Sequence, residues 1–78
     1  MPTIDRVGPY RIFFFSNESN EPPHVHVQRD TMLAKFWLHP SSYATSRGFA
    51  AHELRRIEEI VTEKQEQYLE AWNEYFGA

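Results

Sequence analysis

The sequence contains no cysteine, which excludes disulfide bonds and thiolate metal ligands and permits a reducing compartment. It also lacks any long hydrophobic run. The longest, from Ile12 to Phe15, is far shorter than the roughly 20 apolar residues that a membrane-spanning helix needs. No basic segment precedes this run to make a signal peptide. We therefore expect a cytoplasmic protein with no membrane partner.

Repeats and low-complexity tracts are absent too, and what remains fits a single domain spanning residues 1–78. Aromatic residues make up 15% of the chain, and apolar residues are spread along its length, which indicates a folded globule and argues against disorder. A chain of this length can bury only a marginal hydrophobic core. We therefore expect a homo-oligomer or a small partner protein to contribute stability.

Charge is distributed unevenly along the chain. The net charge is -3, but residues 1–49 hold five basic against four acidic residues and three of the four histidines. Residues 50–78 hold three basic residues against seven glutamates. An anionic partner is therefore expected to approach the first half. The negative total argues against a dedicated nucleic-acid binder, which usually carries a basic surplus.

The first half is typical of a β-sheet. Aromatic and β-branched residues from Tyr10 to Ser16 predict one strand, and Ser, Asn and Pro residues behind it predict a loop. Alternating residues predict a second strand at His24–Arg29 and a third at Ala34–Leu38, and a short fourth at Tyr43–Thr45 is possible. Short connections between successive strands favour an antiparallel meander. The predicted fold class is α+β with three or four strands.

The second half is typical of a helix. From Leu54 to Phe76 the apolar residues fall within an arc of roughly 120°. One continuous helix over 51–76 would be roughly 39 Å long, whereas six-residue strands span about 20 Å. Thr62 and Gln65 have the spacing of a capping box, so the alternative is two helices with a break near Thr62. We favour the single amphipathic C-terminal helix.

Strand periodicity divides the side chains between two faces of the sheet. The helix should cover the face that carries Val25, Val27, Ala34, Phe36 and Leu38. The opposite, uncovered face should then carry the remaining side chains of these strands, together with at least one of the phenylalanines Phe13–Phe15 and with Arg11. Those side chains are His24, His26, Gln28, Lys35, Trp37 and His39.

One hypothesis for this face is metal binding. Two imidazoles two residues apart on a strand can approach one Zn, Ni or Cu ion, with His39 or a loop carboxylate of Glu18 or Glu21 as a third ligand. A lone His-x-His pattern is a weak signal, because paired histidines often bind metal only adventitiously. We therefore favour no metal and no cofactor, and keep the ligand set His24, His26 and His39 as the alternative.

A second hypothesis is acid–base chemistry on RNA. His24 and His26 could act as catalytic general base and acid, because histidine titrates near neutral pH. Developing phosphate charge would be stabilised by neighbouring cations, and Trp37 would stack a base. The alternative is that both imidazoles simply fix the preceding loop by hydrogen bonds. The candidate cations are Arg11, Arg29 and Lys35.

A third hypothesis is a non-catalytic, regulatory protein-binding surface. Aromatic residues with Arg and His, and few acidic residues, are typical of the centre of an interface. Trp37 is the expected anchor of such an interface. Whether the protein is an enzyme is left open by these residues.

The sequence also resembles a family of short bacterial proteins, the domain of unknown function 4160 family. The resemblance rests on "MPTI", "FFFSNESNEPPHVHV", "AKFWL", "RGF" and "HEL…IEEIV…WNEYFG", with the block Pro22, Pro23, His24 and His26 at its centre. His39 departs from the acidic residue expected after "KFWL". The resemblance implies a small cytoplasmic interaction protein encoded beside a domain of unknown function 2442 protein. Such pairs resemble type II toxin–antitoxin modules, in which this chain would be the toxin.

Overall fold

Five antiparallel strands and two helices make up the part of the chain that the computed structural model describes, residues 3–15 and 20–77. The strands follow one another across the sheet in chain order, which confirms the predicted α+β meander. None of the helices in those two ranges is long and apolar enough to cross a membrane. The elements are β1 (Thr3–Val7), β2 (Tyr10–Phe13), β3 (His24–Arg29), β4 (Met32–Leu38), β5 (Ser41–Arg47), α1 (Ala51–Glu63) and α2 (Gln65–Phe76).

The sheet has one more strand than the predicted maximum of four. The additional strand is β1, which pairs with β2 through a tight turn at Gly8, where φ is +56° and a residue with a Cβ would be strained. β5 is also longer than the predicted Tyr43–Thr45. β2, in contrast, ends at Phe13, and the predicted end of this strand at Ser16 lies outside the described residues.

The hydrophobic core lies between the sheet and the two helices. Side chains of β3 and β4 that were predicted to lie under the helix are all buried, which confirms the assignment of faces. The helices contribute residues at helical spacing from both segments to the same cluster. The core includes Val25, Val27, Ala34, Phe36 and Leu38 from the sheet, and Ile57, Val61, Tyr68 and Trp72 from the helices.

The helical half is broken at Lys64, so the preference for one continuous helix was wrong. The break lies two residues beyond Thr62, and no capping box forms there, because the Thr62 hydroxyl is 2.8 Å from the Ser41 hydroxyl. Contacts with the sheet fix the position of the break between α1 and α2. The Gln65 side chain donates to the Leu38 carbonyl over 2.5 Å, and the Lys64 ammonium lies 3.1 Å from the Asp5 carboxylate.

Arg29 fixes the start of α1 to the sheet. Its guanidinium donates two hydrogen bonds to the Glu53 carboxylate, at 2.7 and 2.8 Å, and the Tyr10 hydroxyl donates a third at 2.8 Å. Arg29 therefore lies on the helix-covered side, apart from the other predicted binding residues, with its guanidinium bound to Glu53. The reason is strand parity, because Arg29 shares the face of Val25 and Val27.

The hydrogen bonds to Glu53 predict that the stability of the protein falls at acid pH. The hydrogen bonds from Arg29 and then Tyr10 lower the pKa of Glu53 from 4.5 to about 2. The stabilisation of the folded protein by the Glu53 carboxylate is therefore fully present above about pH 4.5 and is lost as the pH falls through about 2. We expect Glu53→Gln to melt below the wild type near pH 7, and the difference to vanish near pH 2. Thermal denaturation across this range measures it, with the exposed Glu59→Gln as a control. A constant difference at all pH values would contradict the assignment.

Candidate functional site

One face of the sheet carries no helix, and we call it the open sheet face. Cross-strand partners share a face, so the register assigns its members directly: Arg11 is opposite Gln28, Phe13 opposite His26, and His24 opposite Trp37. This confirms the predicted grouping except for His39, which lies in the exposed turn between β4 and β5. The face comprises Thr3 and Arg6 (β1), Arg11 and Phe13 (β2), His24, His26 and Gln28 (β3), Leu33, Lys35 and Trp37 (β4), and Ser42, Thr45 and Arg47 (β5).

The two central histidines lie side by side, but they are not exposed. Their ring centroids are 5.1 Å apart, as the strand alternation predicts. His24 is 0% exposed and His26 only 6% exposed. The expectation that both imidazoles stand open to a substrate was therefore wrong.

Aromatic rings on the open sheet face account for the burial of His26. Its imidazole stacks on Phe13 at 5.5 Å and meets Phe15 edge-on at 4.5 Å. Ring pairs in these arrangements contribute stability in addition to that from the apolar area they bury. His26 is thus part of a small second hydrophobic layer on the side of the sheet away from the helices.

His24 is covered from two directions because the sheet is incomplete beside it. β2 pairs with β3 only as far as His26, so His24 has a neighbouring strand on one side alone. Trp37 of β4 meets its ring edge-on at 5.6 Å, and Trp72 of α2 approaches to 5.0 Å. The His24 Nδ1 atom lies 2.9 Å from the Pro22 carbonyl, so this imidazole also fixes the chain that leads into β3.

Two cations on the open sheet face lie over aromatic rings. The Arg11 guanidinium is 4.4 Å from the centre of the Phe13 ring, and the Lys35 ammonium is 4.5 Å from that of Trp37. This geometry is that of a cation–π contact. Lys35 also forms a 2.6 Å ion pair with Glu21, which is 38% exposed. The predicted binding residues Arg11, Lys35 and Trp37 therefore lie together on one surface.

Arginines stand on both edge strands of the same face. Arg6 of β1 lies directly opposite Arg11 of β2, an unfavourable placement of like charges in a sheet. Arg47 lies at the end of β5 and is exposed. The sheet spacing separates β1 from β5 by about 19 Å. Cations are thus present across the full width of the open sheet face.

A groove opens between the ends of β4 and β5. Its volume is about 340 Å³, and the β-bulge that shifts the register between Lys35 and Phe36 lies beside it. Arg47 and Thr45 line it, and neither was among the predicted binding residues. The full lining is His26, Leu33, Ala34, Lys35, Thr45, Ser46 and Arg47.

The proposed metal-ligand set is not assembled. Within residues 3–15 and 20–77, no three His, Asp or Glu side chains are grouped closely enough to hold a metal ion. His39 is exposed in its turn, and His24 and His26 lie among aromatic rings. Glu18 lies outside the described residues. The structure therefore gives the alternative of a His24, His26 and His39 site no geometric support.

Comparison with known proteins adds one finding. A family model described as "Domain of unknown function (DUF4160)" matches residues 10–73, which include four of the five strands and nearly all of both helices. No curated protein and no solved structure matches the chain. The matched range contains every residue of the groove and both central histidines.

Proposed function

The chain belongs to the DUF4160 family, and on that premise we propose that it is a small interaction protein whose open sheet face binds a single strand of RNA. The observation that carries the proposal is the one-sided arrangement of charge. Arg6, Arg11 and Arg47 all point away from the helices, whereas all seven glutamates of residues 50–78 lie on the helical side. A basic surface on an acidic protein can bind a polyanion that the net charge would otherwise repel.

The spacing of the arginines suits a strand that crosses the sheet. They stand on β1, β2 and β5, so a chain of phosphates lying across the strands would meet a cation at each end. The neighbouring Arg6 and Arg11 support this reading, because a phosphate placed between them could accept hydrogen bonds from both guanidinium groups. The row that joins the arginines crosses β4 at Leu33, and Trp37 lies four residues farther along that strand, where its partly exposed ring could stack a base beside this row.

The proposal is one of binding without acid–base cleavage. A general acid or base must come within hydrogen-bonding distance of the proton it transfers, and His24 has no exposed surface. We assign both imidazoles to supporting the rings and strands beneath the RNA. In the toxin–antitoxin-like pair that the resemblance implies, this protein would act by holding RNA, and its partner would cover the same arginines.

The proposal predicts salt-dependent RNA binding. Three arginine–phosphate contacts give a slope of about -2 for log K against log salt concentration on single strands. We expect Arg11→Gln/Arg47→Gln to reduce this slope to about -0.7, and to weaken binding roughly tenfold near 0.15 M salt. Fluorescence anisotropy with a labelled single-stranded oligonucleotide measures both quantities.

The control for this experiment removes the same two charges elsewhere. Arg55→Gln/Arg56→Gln changes two exposed arginines of α1, on the opposite side of the molecule. We expect it to bind RNA like the wild type. Equal losses in both double variants would show attraction to the overall charge alone, and RNA binding that salt does not affect would remove the electrostatic basis of the proposal.

A further inference from the structure

We infer that the groove beside β5 binds a terminal phosphate monoester of the RNA strand, with Arg47 as its principal ligand. This inference rests on the proposed function and specifies which part of the strand occupies one edge of the open sheet face. A monoester carries a charge of -1.5 to -2 near neutral pH, whereas an internal phosphodiester carries only one negative charge. The groove has features that suit the more highly charged group.

The size and lining of the groove suit one nucleotide. The groove has a volume of about 340 Å³, at the lower end of the range for small-molecule sites. Leu33 and the aliphatic stems of Lys35 and Arg47 supply an apolar lining for a base or ribose. Polar groups of Thr45 and His26 border the same space. An end of a strand can enter such a recess, whereas a continuing strand must also leave it.

Arg47 is well placed to bind the phosphate. Its guanidinium can donate two parallel hydrogen bonds to phosphate oxygens. Across residues 3–15 and 20–77, the structure shows no carboxylate in an ion pair with Arg47, unlike Arg29 and Lys35. Its cross-strand partner is Leu33, which leaves the charge without a compensating neighbour in the sheet. A phosphate would therefore gain this cation without first displacing a carboxylate.

The Lys35 ammonium is a second cation beside the groove, and it is ion-paired with Glu21. The ammonium is 2.6 Å from the Glu21 carboxylate, while the stem of Lys35 lines the groove. A doubly charged phosphate competes for this ammonium more strongly than a singly charged one. We infer that the terminal phosphate takes over Lys35 from Glu21, so the ion pair selects against internal phosphates.

The experiment compares the ends of one oligonucleotide. The same single-stranded RNA is prepared with a 5′-phosphate, with a 3′-phosphate and with hydroxyl groups at both ends, and its affinity is measured by competition. We expect one of the phosphorylated forms to bind the wild type roughly tenfold more tightly than the hydroxyl form, the size of one charge-assisted contact. If the 5′-phosphorylated RNA binds more tightly, the 5′ end enters the groove, and if the 3′-phosphorylated RNA does, the 3′ end enters it.

Two variants test the assigned residues in opposite directions. Arg47→Gln should abolish the preference for a phosphorylated end while still binding the hydroxyl form through Arg6 and Arg11. Glu21→Gln frees Lys35, so it should strengthen hydroxyl-ended binding and reduce the preference. Arg55→Gln serves as the control that keeps both properties. Circular dichroism establishes that each variant is folded.

The outcomes separate this inference from the proposed function. Equal affinity for all three oligonucleotides would overturn the terminal-phosphate site and leave RNA binding intact. No affinity for any of them would overturn the proposed function as well. Binding of adenosine monophosphate that depends on Arg47, without binding of any oligonucleotide, would reject RNA as the source of the phosphate. A glutamate-rich peptide that competes as well as the phosphorylated RNA would show that the groove takes protein carboxylates, against the inference.

Discussion

Trp72→Ala is expected to lower the free energy of unfolding by about 3–5 kcal/mol, the usual loss for a buried large aromatic side chain. Trp72 is 4% exposed and joins three parts of the structure. Its ring lies 5.2 Å from Phe14, 5.0 Å from His24 and 4.2 Å from Phe76. A domain of 78 residues has roughly 4–12 kcal/mol in total, so this one substitution would remove between about a quarter and all of the stability.

Urea denaturation followed by circular dichroism measures this loss. Tyr75→Ala is the appropriate control, because Tyr75 also belongs to α2 and contacts Phe14, but is 45% exposed. We expect this control to lose no more than about 1.5 kcal/mol. Similar stabilities for the two variants would show that Trp72 is not the link between α2 and the first residues of β3.

His24→Ala/His26→Ala is expected to unfold the protein rather than to remove a chemical activity. Both imidazoles are buried, and each contacts aromatic rings. Deleting a buried side chain of this size typically costs at least 2 kcal/mol, and two neighbouring deletions enlarge one common cavity. We therefore expect a combined loss of about 4 kcal/mol or more. The double variant would lose RNA binding because its surface is no longer supported.

The remaining histidines give a matched comparison. His39→Ala/His52→Ala changes two exposed histidines and should leave the melting temperature and RNA binding unaltered. If expression of the wild type arrests growth, relief by the His24/His26 variant should be accompanied by a loss of folded protein. A His24/His26 variant that is as stable as the wild type and still binds RNA, yet no longer arrests growth, would restore the catalytic hypothesis.

Much of the sheet could be predicted because its central strands alternate strictly. Val25 and Val27 face the helices, and His24 and His26 face away, as strand periodicity requires. The amphipathic pattern likewise identified the helical residues that enter the core. These signals are local in the sequence, and each is repeated several times within one element.

Other features depend on distant parts of the chain. Alternation gives the direction of the histidines but not their exposure, which is set by Phe15 and by Trp72, nearly 50 residues away. The position of the helix break depends on contacts of Lys64 and Gln65 with the sheet. Arg29 could have been assigned correctly, since parity alone places it with the valines.

The two edge arginines of the site, Arg6 and Arg47, were missed for a simpler reason. Arg6 belongs to β1, whose few apolar residues gave only a weak strand signal, although the Gly8–Pro9 dipeptide was a usable turn signal. Arg47 ends a strand rich in serine, which resembles a loop in composition. β1 was not predicted, and β5 was predicted only over Tyr43–Thr45, so neither cation could be placed on a face. The sequence therefore predicted the centre of the open sheet face and only part of one edge.

The helical segment 50–78 holds seven glutamates against three basic residues, and Arg6, Arg11 and Arg47 lie on the opposite face, so the molecule is an electric dipole. Such a particle rotates in the field of a polyanion before contact, so productive collisions become more frequent at low ionic strength. A molecule bound through the open sheet face, as we propose, would turn its acidic helices outward, so a second molecule arriving from solution would meet a repelling layer. Coating of a strand would then be limited to one layer, with every copy facing inward.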